Sequence, residues 1–254
     1  MKDYIPILES DGLNDDGIIT AEKIFTSRNI PKLVDTITTA VIFFDPLPSE
    51  VTLKDSIKLF DFKAASSILS QYVYKERIVL AYSPLGGPAA GGLVEELLAF
   101  GIKKIIACGS SGLIGDFDSE KFLIVSKAIR DEGLSYHYLK PSIYVKTDTK
   151  LNNVIKKEFT KRNILFEEGI TWTTDAFYKE TMARIQKRKE QGAVSVEMEC
   201  ASIAAICEYR NVPFSQVLYF SDIVKQSGWS DFLDDRLSTK EKINELILEI
   251  ATEL

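Results

Sequence analysis

The sequence predicts an α/β protein, a three-layer αβα sandwich around a mixed central sheet, forming a single domain over residues 1–254. Three observations lead there. Runs of β-branched and aromatic residues alternate with helical stretches along the chain, the pattern of strands interleaved with helices. Several of these runs end in small or acidic residues, where folds of this class place their sites. No Pro-rich, Gly/Ser-rich or low-complexity linker interrupts the 254 residues, and no internal repeat divides them.

The elements follow in order. "TTAVIFF" (38–44) and "RIVLAYS" (77–83) read as buried strands. "PLGGPAAGG" then turns the chain into a helix. Pro88 suits the first turn, Leu93, Val94, Leu97 and Leu98 share one face, and Gly101 ends the helix in the position that favours glycine. "KKIIACG" (103–109) is the next strand, running into a small-residue turn, "GSSGLIG", and "KFLIVSKAI" (121–129) is another strand. Helices are expected at 148–161 and 175–190, with strand-like "ILFEEGITW" between them. "AVSVE" is a short strand and "MECASIAAICEYR" a helix. "PFSQVLYFS" is a strand buried on both faces, and "TKEKINELILEIATEL" a terminal amphipathic helix. The polar, aromatic stretch "AIRDEGLSYHYLKP" (128–141) reads as an ordered loop.

Composition removes several function classes. Of the residues, 45% are hydrophobic and 27% charged, an ordinary globular balance. A net charge of −6 gives no footprint for nucleic acid. No basic amphipathic segment suits a membrane surface, no apolar run reaches spanning length, and the acidic N-terminus is too polar for a signal peptide. Cys108, Cys200 and Cys207 lack metal-ligand spacing and read as reduced, buried thiols of a cytoplasmic protein. With His137 the single histidine, a Ser-His-Asp triad or a His-rich metal site has almost nothing to build on, so no metal is expected.

What remains is a set of carboxylates in apolar surroundings. "GAVSVEMECASIAAICEYRNVPFSQVLYFSDIV" (192–224) carries Glu197, Glu199 and Asp222. Burying a carboxylate is costly without a partner. Asp222 follows Val217–Phe220, so desolvation is expected to favour its neutral form, suited to donating a proton. Glu199, placed in the first turn of a helix, is expected to favour the charged form. Either acid alone reads as readily as a capping or helix-end residue, but both together in one apolar segment point to a site. "TWTTDAFYKET" (171–181) sets Phe177 and Tyr178 side by side after a turn signal. They cannot both face a core, and an exposed ring stacks on a planar ligand.

These segments together resemble the nucleoside phosphorylase family with the purine nucleoside/uridine phosphorylase fold, over about residues 77–225. The family also includes the methylthioadenosine/S-adenosylhomocysteine nucleosidases. "VEME", the alanine-rich helix and "SD" are the most specific part, "AIRDEG" and "TWTTDAFY" resemble the uridine-phosphorylase-like branch, and "LGGPAA" and "GSSG" match the two glycine turns. The resemblance implies that Glu199 binds the ribose hydroxyls, with Met198 against the sugar and Glu197 opening the motif. It implies that Asp222, beside Ser221, protonates a departing purine and that Phe177 and Tyr178 line the base. It assigns Ser110 to phosphate or the nucleophile, with the Gly86–Gly87 amides nearby.

Two departures fall at the phosphate site. Ala107 stands where the phosphorylases carry an arginine, and Phe44 replaces the glycine of a Gly-Asp-Pro loop, giving Phe44-Asp45-Pro46. Arg130 is the candidate substitute, since arginine clamps phosphate with two hydrogen bonds. The glutamine and arginine that select uracil have no match after Tyr178, which weakens pyrimidine specificity, while "SD" at 221–222 favours a purine. The expected activity is cleavage of a purine nucleoside by phosphorolysis, giving free base and ribose 1-phosphate. The alternatives are hydrolysis in the same pocket or a nucleoside-binding protein without catalysis. No cofactor is expected beyond phosphate as co-substrate, and no nucleic-acid or membrane partner. By resemblance, the chain is expected to form a homo-oligomer, a dimer, trimer or hexamer, whose neighbouring subunit completes the site.

Overall fold

The computed structural model describes residues 5–15, 17–44, 50–64, 67–225, 228–231 and 233–254. Numbered in chain order, the strands among these residues are β1 (Thr39–Phe43), β2 (Ser56–Ala64), β3 (Ser67–Tyr74), β4 (Ile78–Tyr82), β5 (Lys104–Leu113), β6 (Phe122–Asp131), β7 (Tyr144–Lys146), β8 (Phe166–Thr174), β9 (Ala193–Glu197), β10 (Phe214–Lys225) and β11 (Gly228–Asp231). The helices are α1 (Ala21–Ser27), α2 (Glu50–Lys54), α3 (Gly87–Ala99), α4 (Thr149–Lys161), α5 (Met182–Glu190), α6 (Cys200–Tyr209) and α7 (Leu233–Thr252).

The strands make one mixed sheet in the order β11-β10-β6-β8-β9-β5-β1-β4-β3-β2, with β7 on β6. Strand β10 also pairs with β5, so β5, β10, β6, β8 and β9 close a ring within the sheet. Strand residues alternate between two faces. Ile105 and Ala107 of β5 face α3 and α6, joining Leu93, Val94, Leu97, Ile203 and Ile206 in one buried layer. Ile106 and Cys108 face the other way and meet Ile155 and Phe159 of α4 and Ile243, Ile247 and Leu248 of α7. Both layers are apolar, so the central strands read as near-continuous hydrophobic runs. This is the expected three-layer mixed α/β architecture.

Local chemistry sets the helix starts. The Asp148 side chain accepts from Leu151 N–H at 2.7 Å and begins α4. Gly101 adopts φ 107° just after α3, as a left-handed stop requires.

The structure departs from the sequence expectation in four places. "GSSG" is not a turn, because β5 runs through it to Leu113. Its glycines allow close approach: a Cβ on Gly109 would lie 2.6 Å from the Phe44 ring, and one on Gly112 3.1 Å from both Asp222 Oδ2 and Val196 Cγ1. The helix expected at 175–190 is split. A single 3-10 turn covers Phe177–Lys179, and α5 starts only after Thr181, whose side chain caps it. Strands β2 and β3 form an antiparallel hairpin in a stretch where no elements were expected. Strand β10 continues past Ser221 to Lys225, so Asp222 sits within the strand. Asp45 and Pro46 of the "FFDP" motif lie outside the described residues.

Candidate active site

Strand β9 ends at Glu197 and α6 begins at Cys200, leaving Met198 and Glu199 between them. Glu197 is 7% exposed and fully engaged. Oε1 accepts from Thr173 Oγ1, and Oε2 accepts from the N–H groups of Glu199 and Cys200 at 2.8 and 2.7 Å. Thr173 Oγ1 in turn accepts from Ala201 N–H at 2.9 Å. Glu197 therefore caps the start of α6 in place of the capping side chain that Glu199 does not supply. Its place in the site is to hold the next two residues, and every oxygen it has is spent on that.

Glu199 is the N-cap residue rather than part of the first turn, and it is 5% exposed. Its Oε1 accepts from Gly86 N–H at 2.6 Å. That bond ties the start of α3 to the start of α6. Burial, followed by the charge of Glu197, pushes the Glu199 carboxyl up to about 8 despite the backbone N–H groups that favour its ionised form. Burial likewise carries Glu197 up to about 7. The expected bias of Glu199 toward the charged form is thus reversed, because desolvation outweighs the helix N-terminus. Met198 is half-buried beside it.

Asp222 reaches the same region from β10. The register of β10 on β5 shifts between Phe220 and Asp222, placing Ser221 at a bulge. Bulges re-aim side chains. Ser221 Oγ donates to Asp222 Oδ1 at 2.9 Å. Asp222 lies beside Gly112, and Gly112 pairs with Val196 of β9, so one row across three strands leads from Asp222 to the residue before Glu197. Asp222 is half-buried rather than fully desolvated. Ser110, two residues earlier in β5, is paired with Tyr219 and exposed.

Phe177 and Tyr178 stand on the 3-10 turn after β8, 49% and 94% exposed, with ring centroids 4.8 Å apart in an edge-to-face contact. Neither ring enters a core. Glu180 closes that turn, half-buried, and burial together with the Asp222 charge pushes its carboxyl up to about 7.

Arg130 takes a different role from the one the sequence suggested. It is 4% exposed, and its guanidinium donates to Ser135 Oγ, Ser142 Oγ and the carbonyls of Leu139 and Lys140 at 2.7–3.1 Å, while lying 4.3 Å from the Tyr136 ring centroid. It is the pin of the 134–142 loop, meeting two carbonyls and two hydroxyls there with one guanidinium. Ala107 is fully buried in the layer under α3 and α6, and Phe44 packs its ring over Gly109.

Sequence reasoning passed over Thr173, Glu132 and Glu180. Glu132 accepts from Ser202 Oγ at 2.6 Å and Ser135 N–H at 3.0 Å, joining the "RDEG" segment to α6. Only the spacing of acids and hydroxyls next to motifs already singled out signals these residues, and that pattern is common on surfaces.

Comparison with known proteins agrees with this geometry. The family model of the phosphorylase superfamily matches residues 40–252. Uncharacterized protein R802 of Acanthamoeba polyphaga mimivirus is 27% identical, covering 87% of this chain and 89% of its own. Aminodeoxyfutalosine nucleosidase of Helicobacter pylori strain J99 is also 27% identical, over 66% of this chain and 79% of its own. A DeoD-type purine nucleoside phosphorylase of Bacillus cytotoxicus is 25% identical over 69% and 76%. Among solved structures, a Campylobacter jejuni 5'-methylthioadenosine/S-adenosyl homocysteine nucleosidase superposes with a TM-score of 0.70 at 25% identity, covering 86% of this chain and all of that one. The relatives thus include both hydrolytic and phosphorolytic enzymes. A mixed sheet closed by β10, an acid at the start of α6 and a second at the β10 bulge are what the family match spans from end to end: the chain belongs to the phosphorylase superfamily, whose members cleave the N-glycosidic bonds of nucleosides.

Proposed function

We propose that this protein hydrolyses the N-glycosidic bond of a purine nucleoside, with water as the nucleophile. The observation that carries the choice of water is the Phe44 ring seated on Gly109, next to Ser110, where a phosphate would approach. Arg130 is committed to its own loop, and position 107 offers a methyl group. A doubly charged anion needs cations or several free N–H groups; among the described residues, position 107 is an alanine and Arg130 is spent on its own loop. A water molecule has no such need.

In this reading the ribose hydroxyls meet Glu199, whose buried carboxyl is held by Gly86 N–H on the far side. Met198 packs against the sugar. The sugar passes through an oxocarbenium-like state, and hydrogen bonds to its 2-hydroxyl tighten as positive charge develops. An ionised Glu199 stabilises that charge across a site of low dielectric. Asp222, oriented by Ser221, gives its proton to N7 so that the base leaves neutral. Phe177 and Tyr178 flank the base, and water attacks C1′ from the Ser110 side, losing its proton to bulk water as the C1′–O bond forms and the C1′–N bond breaks.

The test is product analysis on a panel of purine nucleosides with and without inorganic phosphate. Free ribose, released at a rate unaffected by phosphate, is expected. Ribose 1-phosphate as the main product would overturn the choice of water, and no base release from any nucleoside would overturn the reading as a whole.

A further inference from the structure

Glu132, the first residue after β6, is buried at 6% exposure. Its Oε2 accepts from Ser202 Oγ at 2.6 Å and from Ser135 N–H at 3.0 Å, and both serines are fully buried. The first bond reaches the opening turn of α6, and the second reaches the 3-10 turn Leu134–His137. Its Oε1 is enclosed and meets no donor among the described residues. A buried carboxylate with one oxygen unmet costs stability. The use of the residue therefore lies in the contacts that Oε2 makes.

Those contacts stand in a joint where three elements meet in two layers, one helical turn apart. In the first layer Gly87 of α3 faces Ser202 and Glu132: a Cβ on Gly87 would lie 2.3 Å from Ser202 Oγ and 3.7 Å from Glu132 Oε2. In the second, Gly91 of α3 faces Leu134 and Ile206: a Cβ there would lie 2.3 Å from Leu134 Cδ2 and 2.9 Å from Ile206 Cδ1. Gly87 and Gly91, like Ser202 and Ile206, are four residues apart and share one face of their helix. The second layer is apolar packing. The first is polar, and it is the one beside the candidate site. Gly86, next to Gly87, donates to Glu199 Oε1 at 2.6 Å, and Glu199 stands three residues before Ser202. The Gly86–Glu199 bond and the Gly87–Ser202 contact thus bridge the same gap between α3 and α6.

Resting on the nucleoside-cleavage reading above, we propose that Glu132 is a positioning residue: by holding Ser202 against Gly87 it sets the separation between the starts of α3 and α6, and so places the Glu199 carboxyl for the ribose hydroxyls. Glu197 fixes the backbone of the same turn from the β9 side. Glu132 fixes how far that turn stands from α3. Without it Ser202 loses its anchor outside the helix, and Glu199 follows the turn away from Gly86.

The experiment reads Gly86 and the sugar site separately. Leu85-Gly86 is the only Leu-Gly pair in the chain, so carbonyl-labelled leucine with nitrogen-labelled glycine isolates the Gly86 amide resonance. Glu132→Ala is expected to move that resonance in the direction that Glu199→Gln does. Glu132→Gln, which keeps an acceptor for Ser202 and Ser135, is expected to leave it in place. On the best substrate of the purine panel, Glu132→Ala is expected to lower kcat/KM roughly tenfold, mainly through KM, and Glu132→Gln to stay within about threefold of wild type. Affinity for formycins A and B, C-nucleosides whose carbon–carbon glycosidic bond does not hydrolyse, should follow the same pattern. Ile247→Val, which trims core packing on the opposite face of the sheet, controls for lost stability and should move neither KM nor the resonance. If Glu132→Ala does not fold, Ser202→Ala breaks the same bond from the other side and carries the same expectations. A Gly86 resonance unmoved by breaking the bond, equal losses in the Ala and Gln variants, or a KM rise shared by Ile247→Val would overturn the positioning role. If no nucleoside is cleaved while the Gly86 resonance still follows Glu132, the cleavage reading fails and the positioning of Glu199 by Glu132 stands.

Discussion

Glu199 carries two opposite demands in one carboxyl. Its ordinary value is 4.5 and in the fold it rises to about 8. Between those values the folded state keeps a proton that the unfolded state has lost, so stability present at acid pH is lost as pH rises through that window. The loss is on the order of a few kcal/mol. On the proposed mechanism catalysis runs the other way, because there the ionised form stabilises the sugar cation. Raising pH from 6 to 8 is therefore expected to lower the thermal midpoint while raising kcat/KM. Glu199→Gln should weaken the first dependence, leaving the part carried by Glu197 and Glu180, and cut kcat/KM roughly ten- to a hundredfold, the worth of a charge-assisted hydrogen bond; melting curves and rates over that range check both. Asp222→Asn keeps size and hydrogen bonding but transfers no proton. Turnover of a purine nucleoside should collapse, while its 7-methylated form, whose leaving group needs no proton, should lose far less. Equal losses on the pair would remove Asp222 as the acid. These two residues stood out in the sequence because carboxylates are uncommon in an apolar run. Their electrostatics were not legible, since Glu199 sits one position before the helix and its burial depends on Gly86, which is distant in sequence.

Elements act here through their ends. The start of α6 is capped by Glu197 from the preceding strand, and Thr173 of β8 closes the cluster. Glu197→Ala removes an acceptor for two backbone N–H groups. It is expected to cost about 1–3 kcal/mol in chemical denaturation and to raise KM for the nucleoside, because Glu199 loses its support. Arg130→Ala should cost about 2–4 kcal/mol by freeing the 134–142 loop, with the rate staying indifferent to phosphate as in the wild type; a wild-type phosphate response that this substitution removes would restore the clamp role. The sequence showed β1, β4 and α6 plainly, since each is a continuous apolar run bounded by turn or polar residues. It misled at 175–190, where the helical spacing of the basic residues hid a break. Asp175 accepts from Gly133 N–H at 2.7 Å and Thr181 caps α5, so tertiary and capping bonds overrode the local pattern. It misled at "GSSG" as well, where small residues meant close strand packing rather than a turn.

At the scale of the molecule, the alternation of strands and helices was enough to foresee two apolar layers about a mixed sheet. The hairpin of β2 and β3 went unseen because its residues mix apolar with polar side chains, and its place at one end of the sheet is set by tertiary contacts such as Phe62 against the α3 layer and Phe60 on the Phe100 ring. Gln71 anchors it: the side chain accepts from Tyr82 N–H at 2.6 Å and donates to the Tyr82 carbonyl at 3.0 Å, standing in for a strand neighbour. The closed ring of β5, β10, β6, β8 and β9 was equally invisible, since it depends on pairings between segments far apart. Ser111 Oγ, for instance, reaches the Tyr219 carbonyl 108 residues later. That ring has a consequence for how the chain comes to be folded. Until β10 has been synthesised, β5 and β6 lack the strand that joins them, and edges of this kind attract other chains. Contacts of such long range make the search slow. Assembly is therefore expected to wait on the last third of the chain. A fragment ending after Tyr209 should show no cooperative unfolding by circular dichroism, whereas the full chain refolds in a single slow step whose yield falls as its concentration rises.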